Sequence, residues 1–515
     1  DTSVRMMKDR ADSASDFYQT PNLERLAREG MRFSNAYAPS PTCTASRISI
    51  QFGKTTARLK QTTVHDVLAK MRGIDCADEL SMAHVIKAAD SRYITAHFGK
   101  GMAIRRMEDS GYDITDEEDP GNHGNGNFHG DWLSTKNKKP LPADDPKRIF
   151  SLTRKANTFI TDQVEAGRPF LLMVSHYAVH VHHAALAETI EEYRKLPRGR
   201  VCKDRDYEDP ESIPDSYKIG SWALQYAAMI DNLDSSLGSI LDTLARTCIA
   251  DNTYVIFTSD NGGGFGDNGP LTGGKARMFE GGLRVPLVVR GPGVLADDQC
   301  DVPVAQWDLL PTIHDLCGSS KPLPKDIDGG SWRSLLTRGN RGEVQRSTPA
   351  LIFHYPYYAG VPVSAIRLGD YKFMRQLNTG ETRLHNVVKD LGEKDNLVKK
   401  MPEKALELDR LMQDYLRKVD AETIEDMYAA RFAELEEHKR RILEEEIPRY
   451  EQQIQRTDDP GEIASLKKKI EAARGPGLER IEKQINDTKK NQQKKDAKRC
   501  MRSVWPIVKT IARNT

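Results

Sequence analysis

A cysteine and an arginine stand four positions apart in PTCTASR, the stretch that covers residues 41–47. If the turn after Pro41 opens a helix, Cys43 and Arg47 lie on one face at its N-terminal end. The helix dipole there favours an anion and lowers the pKa of a thiol. The pair therefore indicates either a nucleophilic cysteine with an arginine that binds its substrate, or a small buried cysteine beside a helix cap.

An acidic residue and an amide, Asp260 and Asn261, follow directly on the apolar run NTYVIFTS and precede two glycines. Carboxylate and amide oxygens are the ligands that a hard cation such as Ca²⁺ or Mg²⁺ takes. The same Asp-Asn-Gly-Gly run is also typical of an ordinary turn. Both interpretations stay open at this point.

Three further polar residues stand after apolar runs or in a glycine-rich loop. His180 follows the run PFLLMVS and His176, with His182 and His183 close behind. Lys100 follows RYITAHFG, and Lys275 lies in TGGKARMFEGGLR. Each alone is equally an ordinary solvated side chain, but the glycines would let the lysine loop approach a ligand closely. Together with the cysteine and the acidic pair, these donors are the groups needed to bind and cleave an ester of a tetrahedral oxyanion.

The elements that must position these residues alternate between helices and short apolar strands. Four such units cover residues 22–37, 80–100, 153–180 and 226–263. Helices that alternate with nearly continuous apolar strands indicate an α/β fold, a doubly wound, mostly parallel sheet with helices on both faces. In such a sheet, ligands bind beyond the carboxyl ends of the strands, where these residues stand.

Shifts in composition divide the chain into three predicted parts. Residues 1–344 form the α/β catalytic domain, and residues 345–420 form a small C-terminal α+β subdomain. Residues 421–515 form a charged helical appendage, which Pro460-Gly461 and Gly475-Pro476-Gly477 cut into about three helices. Apolar residues every three or four positions in this appendage also suit an oligomer contact.

Composition excludes several classes of protein. The 515 residues carry 76 Lys and Arg against 75 Asp and Glu, so no overall charge favours nucleic acid as a partner. No apolar run is long enough for a membrane span. The seven cysteines include no CxxC pair, which argues against a zinc ribbon or a disulfide framework.

Five motifs in this order resemble the type I sulfatases, the formylglycine-dependent branch of the alkaline-phosphatase-like superfamily. They are PTCTASR, YITAHFGK, SHYAVH, FTSDNGG and TGGKARMFEGGLRVPLVVRGPG. The likeness runs from about residue 1 to 420. It implies that a maturase oxidises Cys43 to formylglycine, whose hydrated aldehyde (a gem-diol) is the nucleophile.

The resemblance also assigns roles to the other residues. Arg47 would hold the hydrate, Lys100 and Lys275 would bind sulfate oxygens, and His180 would lie near the leaving oxygen. Residue 43 and three others would hold Ca²⁺, with Mg²⁺ as an alternative: Asp1, Asp260 and Asn261.

The sequence departs from the family pattern in three places. Position 45 is Ala instead of the usual Pro, and Met102 stands where many members have a histidine. His97 or the histidines at 180–183 are candidates to replace that histidine. We align Asp1 with the second residue of the family's Asp-Asp metal ligands, and so expect the first strand and one ligand to be absent.

The expected function is hydrolysis of a sulfate monoester, either a sulfated carbohydrate or an aryl sulfate. Two alternatives remain, a phosphate or phosphonate ester hydrolase of the same superfamily and an inactive relative that binds sulfated glycans or acts as a scaffold. The loops at 102–148 and 184–220 would select the substrate. Family members are commonly exported, so we expect the periplasm or the cell exterior.

Overall fold

The structure is a computed structural model, and it describes most of the chain. The described residues are 17–62, 76–102, 105–116, 126, 128–129, 139–196, 219–264, 268–357, 361–490 and 492–493. Asp1 lies outside these residues, as do parts of both predicted substrate loops. The expectation that the family's first strand is absent therefore stays a prediction.

The α/β body contains two sheets. The first has four strands in the order Asp298–Cys300, Met31–Phe33, Leu287–Arg290 and Val255–Thr258. The second has three parallel strands in the order Ile114–Thr115, Ile94–Gly99 and Phe170–Ser175. In the first sheet Leu287–Arg290 runs antiparallel to both of its neighbours.

Helices cover both faces of the four-stranded sheet, as a doubly wound fold requires. Val288 packs with the helices Pro21–Glu29 and Ile219–Arg246, through apolar side chains such as Leu26 and Leu241. Its neighbour Val289 faces the opposite way, into the cluster of the helices Leu309–Leu316 and Arg333–Arg338. Alternate residues of one strand therefore serve two separate apolar cores. The remaining helices of the body are Cys43–Phe52, Thr56–Leu59, Met82–Ala89, Ile149–Glu165, Ala187–Lys195 and Glu280–Leu283.

The two sheets share one core, but their facing edge strands are not paired with each other. Leu171 and Met173 of one edge strand and Ile256 of the other pack against the same apolar cluster. Most residues of these two strands are half-buried, whereas Ile94–Gly99 is almost wholly buried. Among the described residues, each is the end strand of its sheet. Two short pairs complete the body, Ala36–Tyr37 with Val304–Ala305 and Phe128–His129 with Lys139–Pro140.

An antiparallel sheet follows the body. Its strands are Leu351–Tyr355, Val363–Leu368, Tyr371–Gln376 and Thr382–Asn386, in chain order. One face, with Ile366 and Phe373, packs on the helix Pro402–Lys418. The other face, with Phe353 and Met374, packs on Trp307 of the body. The boundaries at 344 and 420 stay predictions.

In residues 421–490 the appendage is a hairpin of two long helical runs: the predicted break at Pro460-Gly461 is present, whereas Gly475-Pro476-Gly477 does not interrupt the second run. The first run joins Ile424–Arg441 to Ile447–Ile454 through a π-helical turn at Ile442–Glu446. The second begins at Pro460, which Asp459 caps, and passes through a π-helical turn at Ala473–Gly477 to residue 490. Proline has no N–H to donate, and the wider turn accommodates Pro476 without ending the helix.

The two runs of the hairpin pack against each other through a small apolar cluster. Leu435, Ile442 and Ile447 of the first run contact Ile481 and Ile485 of the second. The predicted oligomer contact through this segment stays a prediction. No helix in the described ranges is both long enough and apolar enough to cross a membrane.

Candidate active site

Cys43 is the first residue of the helix Cys43–Phe52, so the predicted helix after the Pro41 turn is confirmed. Thr42 precedes it in an extended conformation and accepts the N–H of Ser46 at 3.2 Å. The Ser46 hydroxyl in turn holds the backbone N–H and carbonyl of Ser40, at 3.1 and 2.9 Å. The small residues around the cysteine thus close a tight turn that presents Cys43 at the helix N-terminus.

Arg47 connects the cysteine helix to two other predicted site segments. Its Nε donates to Oδ2 of Asp260 at 2.8 Å, and its Nη1 donates to the backbone oxygen of Lys100 at 2.7 Å. The arginine side chain is only 11% exposed, so both bonds are largely shielded from water. The structure therefore brings together three residues that are far apart in the sequence.

Lys100 directly follows the last residue of the strand Ile94–Gly99. Its backbone N–H donates to the oxygen of Ser175 at 2.8 Å, on the neighbouring parallel strand. Gly99 has a φ of +94°, and a Cβ there would overlap the Ser175 carbonyl. Glycine is thus required at the turn that places the lysine.

Backbone hydrogen bonds join the loop that carries Lys275 to the turn before Cys43 and to the turn that follows Asp260 and Asn261. Lys275 N–H donates to the oxygen of Gly263 at 3.0 Å, and the next N–H donates to the oxygen of Pro41 at 2.8 Å. A Cβ on Gly262 would overlap the carbonyl of Gly281, and one on Gly274 would overlap that of Gly263. These glycines let backbone pack on backbone, and the predicted close approach of the loop to a ligand stays a prediction.

The charged groups of the site act on one another. Burial raises the pKa of Cys43, but the cations Lys100, Lys275 and Arg47 outweigh burial and the Asp260 carboxylate, and bring it below its usual value. The same three cations lower the pKa of Asp260 against its burial. Position 43 therefore lies in a positive environment that stabilises negative charge.

His180 lies near the two site lysines as a neutral imidazole. Burial first, and then Lys100 and Lys275, lower its pKa to about 3. Its Nδ1 lies 2.8 Å from the oxygen of Val181, and a carbonyl can only accept, so Nδ1 carries the hydrogen and Nε2 a lone pair. At neutral pH His180 can accept a hydrogen bond at Nε2 but has no proton there to donate.

Met102, which stands where many family members have a histidine, and His97, a candidate to replace that histidine, both lie in the core. Met102 is buried in an apolar cluster with Ile48 and Phe52, so this position takes a packing role. His97 is fully buried, contacts the ring of Tyr112 edge-on and lies 3.0 Å through Nε2 from the Ser175 hydroxyl. Burial lowers the pKa of His97 to about 3, which keeps it neutral.

The acidic turn has the oxygen atoms that a hard cation requires. Asn261 Oδ1 is buried without a hydrogen-bond partner, while its Nδ2 donates to the oxygen of Gly262 at 2.8 Å. The neighbouring Asp260 is ionised. An unpartnered amide oxygen beside a carboxylate fits a cation such as Ca²⁺. No group of three or more His, Cys, Asp or Glu side chains suited to a metal occurs among the described residues, and Asp1 lies outside them.

Sequence reasoning missed one residue at this site, Lys147. It is 1% exposed, and its Nζ donates to the oxygen of Val181 at 3.3 Å. Burial and then Lys100 lower its pKa to about 7. Lys147 lies in the short 3₁₀ turn Pro146–Arg148 before a helix. No apolar strand directly precedes it, so the strand-end rule that found the other residues gave no signal.

Comparison with known families identifies the protein. The sequence profile of the sulfatase family matches residues 8–319. The chain belongs to the sulfatase family. A second profile, the C-terminal part of N-sulphoglucosamine sulphohydrolase, matches residues 274–422. The sulfatase is thus an enzyme that hydrolyses sulfate esters, and the predicted resemblance is confirmed.

Curated relatives and solved structures agree with this membership. A sulfatase of Formosa agariphila is 27% identical over 78% of this chain and 83% of its own. The choline-sulfatase of Rhizobium meliloti is 27% identical over 70% of this chain and 74% of its own. Human steryl-sulfatase is 27% identical over 65% of this chain and 68% of its own. A sulfatase structure from Pseudoalteromonas sp. has a TM-score of 0.57 at 19% identity, covering 78% of this chain and 85% of its own. The structure of a phosphonate monoester hydrolase of Agrobacterium radiobacter has a TM-score of 0.54 at 17% identity, covering 80% of this chain and 93% of its own. The predicted alkaline-phosphatase-like α/β fold is confirmed.

Proposed function

We propose that this sulfatase cleaves a sulfate monoester of a carbohydrate or an aryl alcohol, through a formylglycine made from Cys43 and with a bound Ca²⁺. The observation that supports it most is the surroundings of position 43. The residue starts a helix among Arg47, Lys100 and Lys275, which favour negative charge at its side chain. The match to the C-terminal part of N-sulphoglucosamine sulphohydrolase favours a sugar sulfate.

The chain's own residues would divide the work as follows. Lys100 and Lys275 bind the sulfate oxygens and offset the charge that develops on them. Arg47, fixed by Asp260, orients residue 43. Asp260 and Asn261 hold the Ca²⁺ together with residue 43, and Asp1 would be a further ligand.

The formylglycine hydrate and the Ca²⁺ would each contribute to the chemistry. A formylglycine hydrate supplies a hydroxyl as nucleophile, and Ca²⁺ acidifies that hydroxyl. The small turn around Cys43 leaves the side chain at the helix N-terminus, where a hydrate would receive the field of the three cations. His180 accepts a hydrogen bond at Nε2 from the substrate or the hydrate. A maturase is the required partner, and we expect the enzyme to work in the periplasm or outside the cell.

The first experiment combines a mass measurement with an assay. Protein made beside a maturase should yield a peptide with residue 43 that is about 18 mass units lighter than the cysteine form, the difference between cysteine and formylglycine. It should hydrolyse aryl and sugar sulfates faster than the matching phosphates. Cys43→Ala should abolish activity, whereas Cys248→Ala, at an exposed cysteine, should not.

Two outcomes would contradict the proposal. An unmodified thiol despite an active maturase would favour the inactive binding or scaffold relative. Faster turnover of phosphate or phosphonate esters would favour the other hydrolase class of the superfamily, to which one structural neighbour belongs.

A further inference from the structure

Lys147 is held at the active site by an unusual backbone. Lys147 and Arg148 both have left-handed conformations, with φ of 55° and 57°. Such residues cost about 1–3 kcal/mol each and persist only where surrounding contacts impose them. Here the turn is fixed by Asp145, whose Oδ1 accepts the N–H groups of Phe150 and Ser151, both at 2.9 Å.

One buried carboxylate ties this turn to the strand that carries Lys100. Asp116 Oδ1 accepts the N–H of Gly99 at 2.8 Å, and its Oδ2 lies 3.5 Å from Nη2 of Arg148. Gly99 precedes Lys100 and Arg148 follows Lys147. Asp116 therefore fixes the positions of both lysines relative to each other.

The Lys147 side chain reaches the same carbonyl as the site histidine. Its Nζ and the Nδ1 of His180 both donate to the oxygen of Val181, at 3.3 and 2.8 Å. The positive charge of Lys147 also contributes to the lowered pKa of His180. The amine of Lys147 thus lies beside His180 and close to Lys100.

Cleavage of the sulfate ester of a basic alcohol needs a proton on the leaving oxygen, because an alkoxide is a poor leaving group. His180 has no proton at Nε2 at neutral pH, since its pKa is about 3. A lysine with a pKa of about 7 holds a proton at neutral pH and can release it.

We propose that Lys147 is the general acid of this sulfatase, an inference that rests on the proposed function. As the bond between sulfur and the ester oxygen breaks, its electron pair passes to that oxygen, which takes a proton from Nζ and leaves as the alcohol. The attacking oxygen forms the new bond to sulfur and loses its own proton to water. The neutral amine then recovers a proton from water, which restores Lys147 as the acid. The sulfate left on the attacking oxygen would depart afterwards, as the bond from that oxygen to residue 43 breaks, its electron pair leaves with the sulfate, and the second hydroxyl of the hydrate loses its proton.

The test compares phenyl sulfates that differ only in their leaving group. On 4-nitrophenyl sulfate, which leaves without a proton, Lys147→Met should stay within about threefold of the wild type, and on 4-methoxyphenyl sulfate it should lose about 100-fold in kcat/KM. The dependence of rate on leaving-group basicity should become steeper. Retained 4-nitrophenyl activity also shows that the variant folds.

A second variant separates proton transfer from charge. Lys147→Arg keeps a positive charge but holds its proton, because a guanidinium has a pKa above about 12, so it should show the same steep dependence as the Met variant. Lys87→Met, at a lysine paired with Asp113 outside the site, should behave as the wild type. Restored 4-methoxyphenyl activity in the Arg variant, or equal losses on both esters in the Met variant, would overturn the proposal. A wild type that cleaves neither these esters nor any sugar sulfate would instead refute the proposed function.

The pH dependence gives an independent readout. In the wild type, kcat/KM for 4-methoxyphenyl sulfate should fall as pH rises through about 7, because only protonated Lys147 can donate. Lys147→Met should lack this limb. Among the described groups that face Lys147, His180 and His183 have pKa values of about 3 and about 4 and titrate elsewhere. Lys100 also has a lowered pKa, so a limb that persists in the Met variant would belong to it and would contradict the proposal.

Discussion

Arg47 is the residue on which the geometry of the site most depends. Among the described residues, it alone bonds both to the carboxylate of Asp260 and to the backbone of Lys100. The two bonds use different nitrogens of one planar guanidinium, at fixed angles. A lysine at this position would keep the charge but could not hold both partners in the same arrangement.

We therefore expect Arg47→Lys to reduce kcat/KM by about 100-fold, the loss typical of one misplaced charge-stabilising contact. Arg58→Lys is the matched control, because Arg58 makes two bonds to the buried Asp328, at 2.9 and 2.6 Å, and has no described contact with the site. The control should lower Tm and leave kcat/KM unchanged. Similar losses of kcat/KM in both variants would show that Arg47 acts only through stability.

At the scale of elements, residues 262–264 and 268–283 hold the Asp260-Asn261 turn and Lys275 together. Gly262 N–H donates to the oxygen of Gly282 at 2.9 Å, and Gly281 N–H donates to the oxygen of Thr272, also at 2.9 Å. These bonds require backbone atoms at distances that a side chain would prevent. The paired glycines thus fix the shape of the loop and, through it, the site.

Gly262→Ala should therefore impair both stability and activity. The added Cβ would meet the carbonyl of Gly281 and push the loop away from Asp260 and Asn261, at a cost of about 1–3 kcal/mol in the free energy of unfolding. Gly167→Ala is the control, since its φ is +62° and a Cβ there meets nothing within 4 Å. It should cost about 1 kcal/mol from backbone strain and keep full activity. Urea unfolding and kcat/KM measure both, and a fully active Gly262→Ala would contradict this account of the loop.

The sequence predicted the local elements well because their signals are local. The helix after Pro41 and the strand that ends at Gly99 follow from apolar spacing and turn residues, and the structure confirms them. Interactions across the chain have no such signal. Lys147 depends on Asp116 and on a strained turn, and the continuous helix through Pro476 depends on a π-helical turn that the Gly-Pro-Gly pattern does not reveal.

At the scale of the whole molecule, the C-terminal sheet supports the active-site loop through buried charges. Glu280 of the loop accepts the ammonium of Lys372 at 3.0 Å and the hydroxyl of Tyr37 at 2.6 Å. Lys372 also pairs with Glu393 at 3.0 Å, and Glu393 accepts the N–H of Glu280 at 2.7 Å. All the paired side chains are buried. Lys372 lies between the two carboxylates at the edge of the site, and Arg284, 3.7 Å from Glu280, is a further cation there.

Lys372→Met should therefore destabilise the fold strongly, by about 3–5 kcal/mol, because it leaves the buried Glu393 without its cation and removes one of the cations that act on Glu280. Burial already raises the pKa of Glu393 to about 7, and loss of the lysine would raise it further. A carboxyl whose pKa is higher in the folded state binds protons more readily there, so stability rises as pH falls through that range. The deficit against the wild type should be larger at about pH 9 than at about pH 6 in urea unfolding. Lys400→Met, at an exposed pair with Asp395, should change little at either pH, and a Lys372→Met deficit independent of pH would contradict the buried-carboxylate explanation.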